Sequence, residues 1–271
     1  MNSRVVGRRF GFGVAVMALC AALAAMFVSG SPAGAQASPF WSQVGADIDG
    51  EAGGDESGEA VAISADGNTV IVGAFRNDGN GTNSGHARIY TYDGTNWVQV
   101  GADIDGENAF DESGTAVAIS ADGNTVIIGA RVNSGNGLGS GHARIYTYDG
   151  TNWVQVGADI DGEAASDLSG GAVAISADGN TVAIGAIGND DNGTLSGHAR
   201  IYTFDGTNWV QVGADIDGEN ADDFSGRAVA ISADGNTVAI GASSNDGNGS
   251  ASGHGRVFTG QTPSLLSLIH I

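Results

Sequence analysis

Tryptophan recurs at Trp41, Trp97, Trp153 and Trp209, 56 residues apart each time, inside nearly the same text. The unit beginning at Trp97 reads WVQVGADIDGENAFDESGTAVAISADGNTVIIGARVNSGNGLGSGHARIYTYDGTN. Four copies run from 41 to about 260, the last incomplete. A fixed period of this length restricts the chain to folds in which one supersecondary unit stacks on the next, as blades or solenoid coils.

Each unit holds four strand-like runs. In the first they are AVAIS (60–64), TVIVGA (69–74), HARIYTYD (86–93) and NWVQVGADI (96–104). β-Branched, aromatic and small apolar residues fill them, and Gly/Asp/Asn turns bound them. The first two runs are almost continuously apolar, as for strands covered on both faces. The last two alternate more, which predicts a propeller blade with strand one near the axis and strand four at the rim. A β-solenoid is the alternative, but its coils are usually much shorter. The chain starts on a strand-four text (41–49) and ends on strands one to three. The expected fold is therefore all-β and propeller-like, with four four-stranded blades. In it the N-terminal strand completes the last blade, removing exposed edges.

The segment DESGTAVAISADGNTVIIGA with SGHARIYTYDG resembles the FG-GAP repeat of integrin α-subunit propellers. Phe-Gly of that pattern stands here as Ser57-Gly58, Ser113-Gly114, Ser169-Gly170 and Ser225-Gly226. Gly-Ala of the pattern stands at Gly73-Ala74, Gly129-Ala130, Gly185-Ala186 and Gly241-Ala242, with the proline missing. The resemblance implies a seven-bladed propeller used for adhesion and ligand binding outside the membrane, of which four copies are a fragment.

Residues 1–37 read as a secretory signal peptide: Arg4, Arg8 and Arg9, an apolar run from Phe10 to Val28, then Ala35-Gln36-Ala37. The alternative is an uncleaved membrane anchor. Cys20, the only cysteine, lies in that run, so residues 38–271 have no disulfide to hold them. The repeats occupy 38–260, and 261–271 is a non-repeat tail. Its last six residues, LSLIHI, read as one frame of a sequencing-library adapter, an artefact beyond which the natural chain continues. From residue 38 on, 31 acids face 7 arginines and no lysine, a net of −24. That excludes a nucleic-acid surface, which needs clustered positive charge, and binding to an anionic membrane. No membrane span is expected in the mature chain.

In a four-stranded antiparallel blade the two–three and four–one loops emerge on the same face. Here those loops are the long ones (FRNDGNGTNSG and DIDGEAGGDESG), and the one–two and three–four turns, SADGN and YDGTN, are short. Most carboxylates therefore gather on one face. The four–one loops carry Asp47, Asp49, Glu51 and Asp55; Asp103, Asp105, Glu107 and Asp111; Asp159, Asp161, Glu163 and Asp167; and Asp215, Asp217, Glu219 and Asp223. Offsets 1, 3, 5 and 9 are those with which a chain wraps oxygens around Ca²⁺, which makes calcium the candidate cofactor. The turn glycine at offset 4 (Gly50) and Gly58 at offset 12 depart from that pattern. The plainer alternative is Asp-Gly turns and acids that keep a glycine-rich surface soluble. Resemblance to the family implies a calcium loop between strands one and two, where this chain has only Asp66-Gly67-Asn68.

His86, His142, His198 and His254 also recur at the period. A zinc site needs its ligands around one centre, and one histidine per blade does not supply that, so hydrogen bonding internal to the repeat is expected. No GxSxG elbow or phosphate loop is present, and nothing in 38–260 assembles a catalytic site. Specificity should lie where copies differ on the loop-rich face: 75–76, 131–132, 187–188 and 243–244, with Phe110, Leu168, Phe224 and Arg227. From these, Phe75, Arg76, Phe110 and Arg131 are the candidate patch for a protein or glycan ligand. The function expected is an exported, extracellular or cell-surface binding or adhesion module, not an enzyme. The alternatives are an accessory propeller of a secreted hydrolase or lyase, and a surface-layer spacer.

Overall fold

A computed structural model describes residues 41–260. The expected signal peptide (1–37) and the non-repeat tail (261–271) lie outside the described residues. The described residues are all β, in four antiparallel sheets that follow one another along the chain. The first sheet holds β1 (Ala60–Ile63), β2 (Thr69–Ala74), β3 (His86–Tyr92), β4 (Trp97–Gln99) and β5 (Ile104–Asp105). The second holds β6 (Ser113–Ile119), β7 (Thr125–Ala130), β8 (His142–Tyr148), β9 (Trp153–Gln155) and β10 (Ile160–Asp161). The third holds β11 (Ser169–Ile175), β12 (Thr181–Ala186), β13 (His198–Phe204), β14 (Trp209–Gln211) and β15 (Ile216–Asp217). The fourth holds β16 (Ser225–Ile231), β17 (Thr237–Ala242) and β18 (His254–Thr259). The expected propeller-like blades are what forms.

The short turns are closed by their own side chains. Asp122 Oδ1 accepts from Asn124 N (3.0 Å) and from Ser120 Oγ (2.6 Å), and Ser120 Oγ accepts from Thr125 N (3.0 Å). At the other hairpin Asp149 Oδ1 accepts from the Thr151 and Asn152 amides, both at 2.8 Å. These Asx-type turns explain why Asp-Gly-Asn and Asp-Gly-Thr-Asn suffice to reverse the chain.

The fourth run of each blade is interrupted. β4 pairs with one end of β3 and β5 with the other, so 100–103 bulge between them. Gly101 turns the bulge at φ +72, and a Cβ there would lie 2.8 Å from Trp153 Cδ1. That close approach lets Trp153 Nε1 donate to Val100 O at 2.8 Å, tying blade two to blade one. Trp209 does the same to Val156.

Burial follows the strand period of two. On β7, Val126 and Ile128 pack back against Ile71 and Ile89 of the first sheet. Ile127 between them packs forward against Val182 and Ile184 of the third. Each core thus straddles two sheets, and removing a fully buried isoleucine from water is worth about 1.5–3 kcal/mol. The middle strands are the most buried, and strand one lies at the sheet edge, half-covered by its counterparts in neighbouring sheets. This differs from the continuous coverage that its apolar run suggested.

The motif glycines sit where these sheets meet. A Cβ on Gly129 would lie 1.9 Å from Gly170 O, and one on Gly170 would lie 2.2 Å from His142 O. Ser169 donates its amide to Ser140 O at 2.9 Å across the same junction. The Gly-Ala of one blade and the Ser-Gly of the next are therefore two halves of one backbone contact, which a side chain at either glycine would wedge open.

Residues 41–49 do not complete the last sheet. They form no strand, and the fourth sheet holds three. Val44 O instead accepts from Trp97 Nε1 (2.8 Å), and Asp49 O from Arg88 Nη2 (2.6 Å). In later blades this text pairs with the strand three before it and caps the blade after it. Among the described residues, 41–49 show the second half of that role. In the first and last described sheets apolar groups face outward: Val61 is 65% exposed where its counterpart Val117 is 9%, and Val257 is 69% exposed where Ile89 is fully buried.

Candidate functional site

The four carboxylates of one four–one loop do not converge. Asp55, Asp111, Asp167 and Asp223 are buried and staple their loops: Asp111 Oδ2 accepts from Asn108 N (2.9 Å) and Asn133 Nδ2 (3.0 Å). Asp103 and Asp159 accept from Gln99 and Gln155, each at 2.6 Å. Asp215 repeats this with Gln211. Among the described residues a single loop therefore does not offer the oxygen cage that calcium requires.

What the fold does assemble comes from two loops at once. Glu107, in the loop entering blade two, and Asp159, in the bulge leaving it, meet His142 at the start of β8. His142 Nδ1 lies 4.0 Å from Glu107 Oε2 and 3.7 Å from Asp159 Oδ2. The same grouping recurs as Glu51, His86 and Asp103, with Asp105 Oδ1 4.0 Å from the imidazole. It recurs again as Glu163, His198 and Asp215, joined by Asp191. Asp161 and Asp217 stand across from the histidine that begins strand three, as Asp105 does. His254 faces Glu219 at 3.7 Å. Asp47 and Asp49 enter no such group among the described residues.

The histidines do not form the hydrogen bonds expected of them. Both ring nitrogens of His86, His142 and His198 are buried without a hydrogen-bond partner. The reason is register. Strand three starts at the histidine and points it between two acidic loops, at distances too long for a hydrogen bond. Burial first, then the Arg144 guanidinium, pushes the His142 pKa down to about 4, so the ring is neutral near pH 7. Burial and the Asp159 charge push Glu107 up despite Arg144, whose Nη1 is 3.8 Å from Glu107 Oε1. Burial and Asp159 likewise raise Asp161. Arg200 opposes the rise at Asp161 as Arg144 does at Glu107, so the three acids face two guanidinium groups.

A second feature opens on the loop-rich side. Glu59, Thr115, Arg131, Leu168, Gly171, Ile187 and Arg227 line one pocket. Glu59, Thr115, Gly171 and Arg227 are a single repeat position seen in four blades, with a different residue each time. Arg131 and Ile187 follow strand two, and Leu168 closes a four–one loop at φ +55. Of the candidate patch, only Arg131 reaches this pocket, where its Nε donates to Glu112 Oε2 at 2.9 Å. Phe75 is buried beneath its loop, Arg76 is paired with Glu56 at 2.7 Å, and Phe110 stands exposed at φ +68. The column through residue 59 was visible in the sequence as the one strand-one position that never repeats.

Residues 46–90 match the family model described as FG-GAP repeat. That span includes Ser57-Gly58 and Gly73-Ala74, and its text recurs in the three following blades. No curated protein matches the chain. Similar solved structures include a putative 6-phosphogluconolactonase from Bacteroides uniformis, 15% identical over 67% of this chain and 46% of that one, with a TM-score of 0.44. Another is hydrazine synthase from Kuenenia stuttgartiensis, 15% identical over 73% of this chain and 49% of that one, with a TM-score of 0.42. The chain spans about half the length of these structures, and likeness at this level carries no argument about activity.

Proposed function

We propose that this FG-GAP repeat chain is an exported binding module that takes a protein or glycan ligand on its loop-rich acidic face, with divalent cations, calcium the first to test, stiffening that face. Export rests on the arginine-rich start, the apolar run and Ala35-Gln36-Ala37. The observation that carries the binding role is the pocket where non-repeating residues of all four blades converge. Four of the seven arginines after residue 38 are the repeat's own, at 88, 144, 200 and 256. Of the other three, two line this pocket, Arg131 and Arg227. Guanidinium groups beside Leu168 and Ile187, in an otherwise anionic surface, suit a ligand that pairs an acidic group with an apolar face. An acidic oligosaccharide or an acidic peptide segment has that chemistry.

The test is an array of acidic and neutral glycans and peptides, probed with the parent and with Arg131→Ala/Arg227→Ala. At least a tenfold loss on acidic ligands is expected. Equal binding by the double variant sinks the reading. For calcium, which would have to draw its oxygens from two loops at once, a melting temperature raised by millimolar Ca²⁺ and returned by EGTA is expected, and no shift in either condition counts against it.

A further inference from the structure

We propose that the three imidazole–carboxylate clusters are sites for a first-row transition dication of the Zn²⁺ class, each held by a histidine Nδ1 and carboxylates from the loops entering and leaving its blade. This inference is independent of what the pocket binds.

The acids alone would not carry it. The deciding group is the histidine. His142 is 1% exposed, neither ring nitrogen has a hydrogen-bond partner, and Nδ1 points at two carboxylates. A buried polar atom without a partner destabilises the fold, and this one recurs in three blades. At 3.7 Å and 4.0 Å the imidazole is too far from Asp159 and Glu107 to bond them directly. Two donors on one tetrahedral Zn²⁺, with bonds of 2.0–2.2 Å, stand about 3.4 Å apart. The two imidazole–carboxylate distances exceed that by 0.3 and 0.6 Å, and all the donor atoms lie within 4.8 Å of one another, so side-chain movements of about an ångström or less place an ion between them. Both carboxylates can make that movement, since Glu107 and Asp159 are 41% and 27% exposed at the side chain.

The donor set also selects the ion. Ca²⁺ takes six to eight oxygens, whereas neutral imidazole beside carboxylate suits zinc and its neighbours. The charge agrees: Glu107, Asp159 and Asp161 outnumber the two guanidinium groups that face them, Arg144 at Glu107 and Arg200 at Asp161. Bound there, the ion would join Glu107, before the blade, to Asp159, after β9, and so clamp the ends of the blade's chain path together.

The experiment is calorimetric titration of EDTA-stripped protein with Zn²⁺ and, separately, Ca²⁺, with Co²⁺ as an absorbing probe. Three equivalents of Zn²⁺ at micromolar concentration are expected, with a Co²⁺ visible band that Zn²⁺ bleaches. His142→Ala should bind one equivalent fewer. Because that ring is buried, Asp159→Asn serves as a second variant with the same expected loss, its circular dichroism in EDTA matching the parent. Zinc binding only at millimolar levels, a stoichiometry that neither variant changes, or displacement of Zn²⁺ by equimolar Ca²⁺ would each overturn the proposal.

Discussion

The sequence TVAIGA occurs twice, as β12 and as β17, and the two glycines in it have opposite surroundings. A Cβ on Gly185 would lie 2.0 Å from Gly226 O and 2.9 Å from Gly226 C, both backbone atoms of the next blade. A Cβ on Gly241 would meet nothing nearer than Ala228 Cβ at 3.6 Å. Neither glycine has a positive φ, so alanine strains neither backbone by itself. Gly→Ala also restricts the unfolded chain equally at both sites, a gain of about 0.4–1 kcal/mol that cancels in the comparison. The remaining difference is the blade junction. Overpacking costs about 1–3 kcal/mol where side chains can move. A main-chain carbonyl of the next blade has no rotamer to escape into, so the upper end applies. At about 2–4 °C per kcal/mol for a domain of this size, and with the unfolded-state gain offsetting part of the loss, Gly185→Ala should melt about 4–10 °C below the parent. Gly241→Ala should melt at or slightly above it. Thermal denaturation followed by circular dichroism reads both. Equal losses would refute the reasoning, because they would place the requirement for glycine within the strand and not between blades.

Two further outcomes follow from the same geometry. Val117→Ala should cost about 1–3 kcal/mol and Val61→Ala close to nothing in urea unfolding, because the same repeat position is 9% exposed in one blade and 65% in the other. In the turn at Asp178, hydrogen bonds from Ser176, then from the Asn180 amide, hold the carboxyl below its usual 3.8. A depressed pKa gives stability that is fully present above the unfolded value and lost as pH falls through the folded one. Asp178→Ala should therefore melt a few degrees below the parent at pH 7, about 1 kcal/mol or less for so exposed a bond, and the gap should close below about pH 3.8. A gap that persists at pH 2 would show that the carboxylate's charge is not what the turn uses.

The period was legible without coordinates because the text itself recurs, and the four runs per unit and the turn chemistry because each depends on residues within about ten positions of one another. Ser120, Asp122 and Asn124 close their turn using neighbours alone. The crowding of acids on one face was legible too, since loop length and strand parity decide it. What the sequence did not reveal is what lies across a junction. Gly129 and Gly170 look like separate motif glycines and prove to be a single contact. Offsets 1, 3, 5 and 9 look like one chelating loop, yet Asp111 turns inward to Asn133, and Glu107 finds Asp159, a residue of the following loop, at His142. The histidine, set aside because each blade has only one, gains its partners because strand three begins where two loops cross. Likewise the variable column at 59, 115, 171 and 227 became a pocket only when four blades brought it to one place. Local hydrogen bonding and the period of two therefore wrote the blades into the sequence, while the close approach of backbones 40 to 60 residues apart decided which of their groups meet.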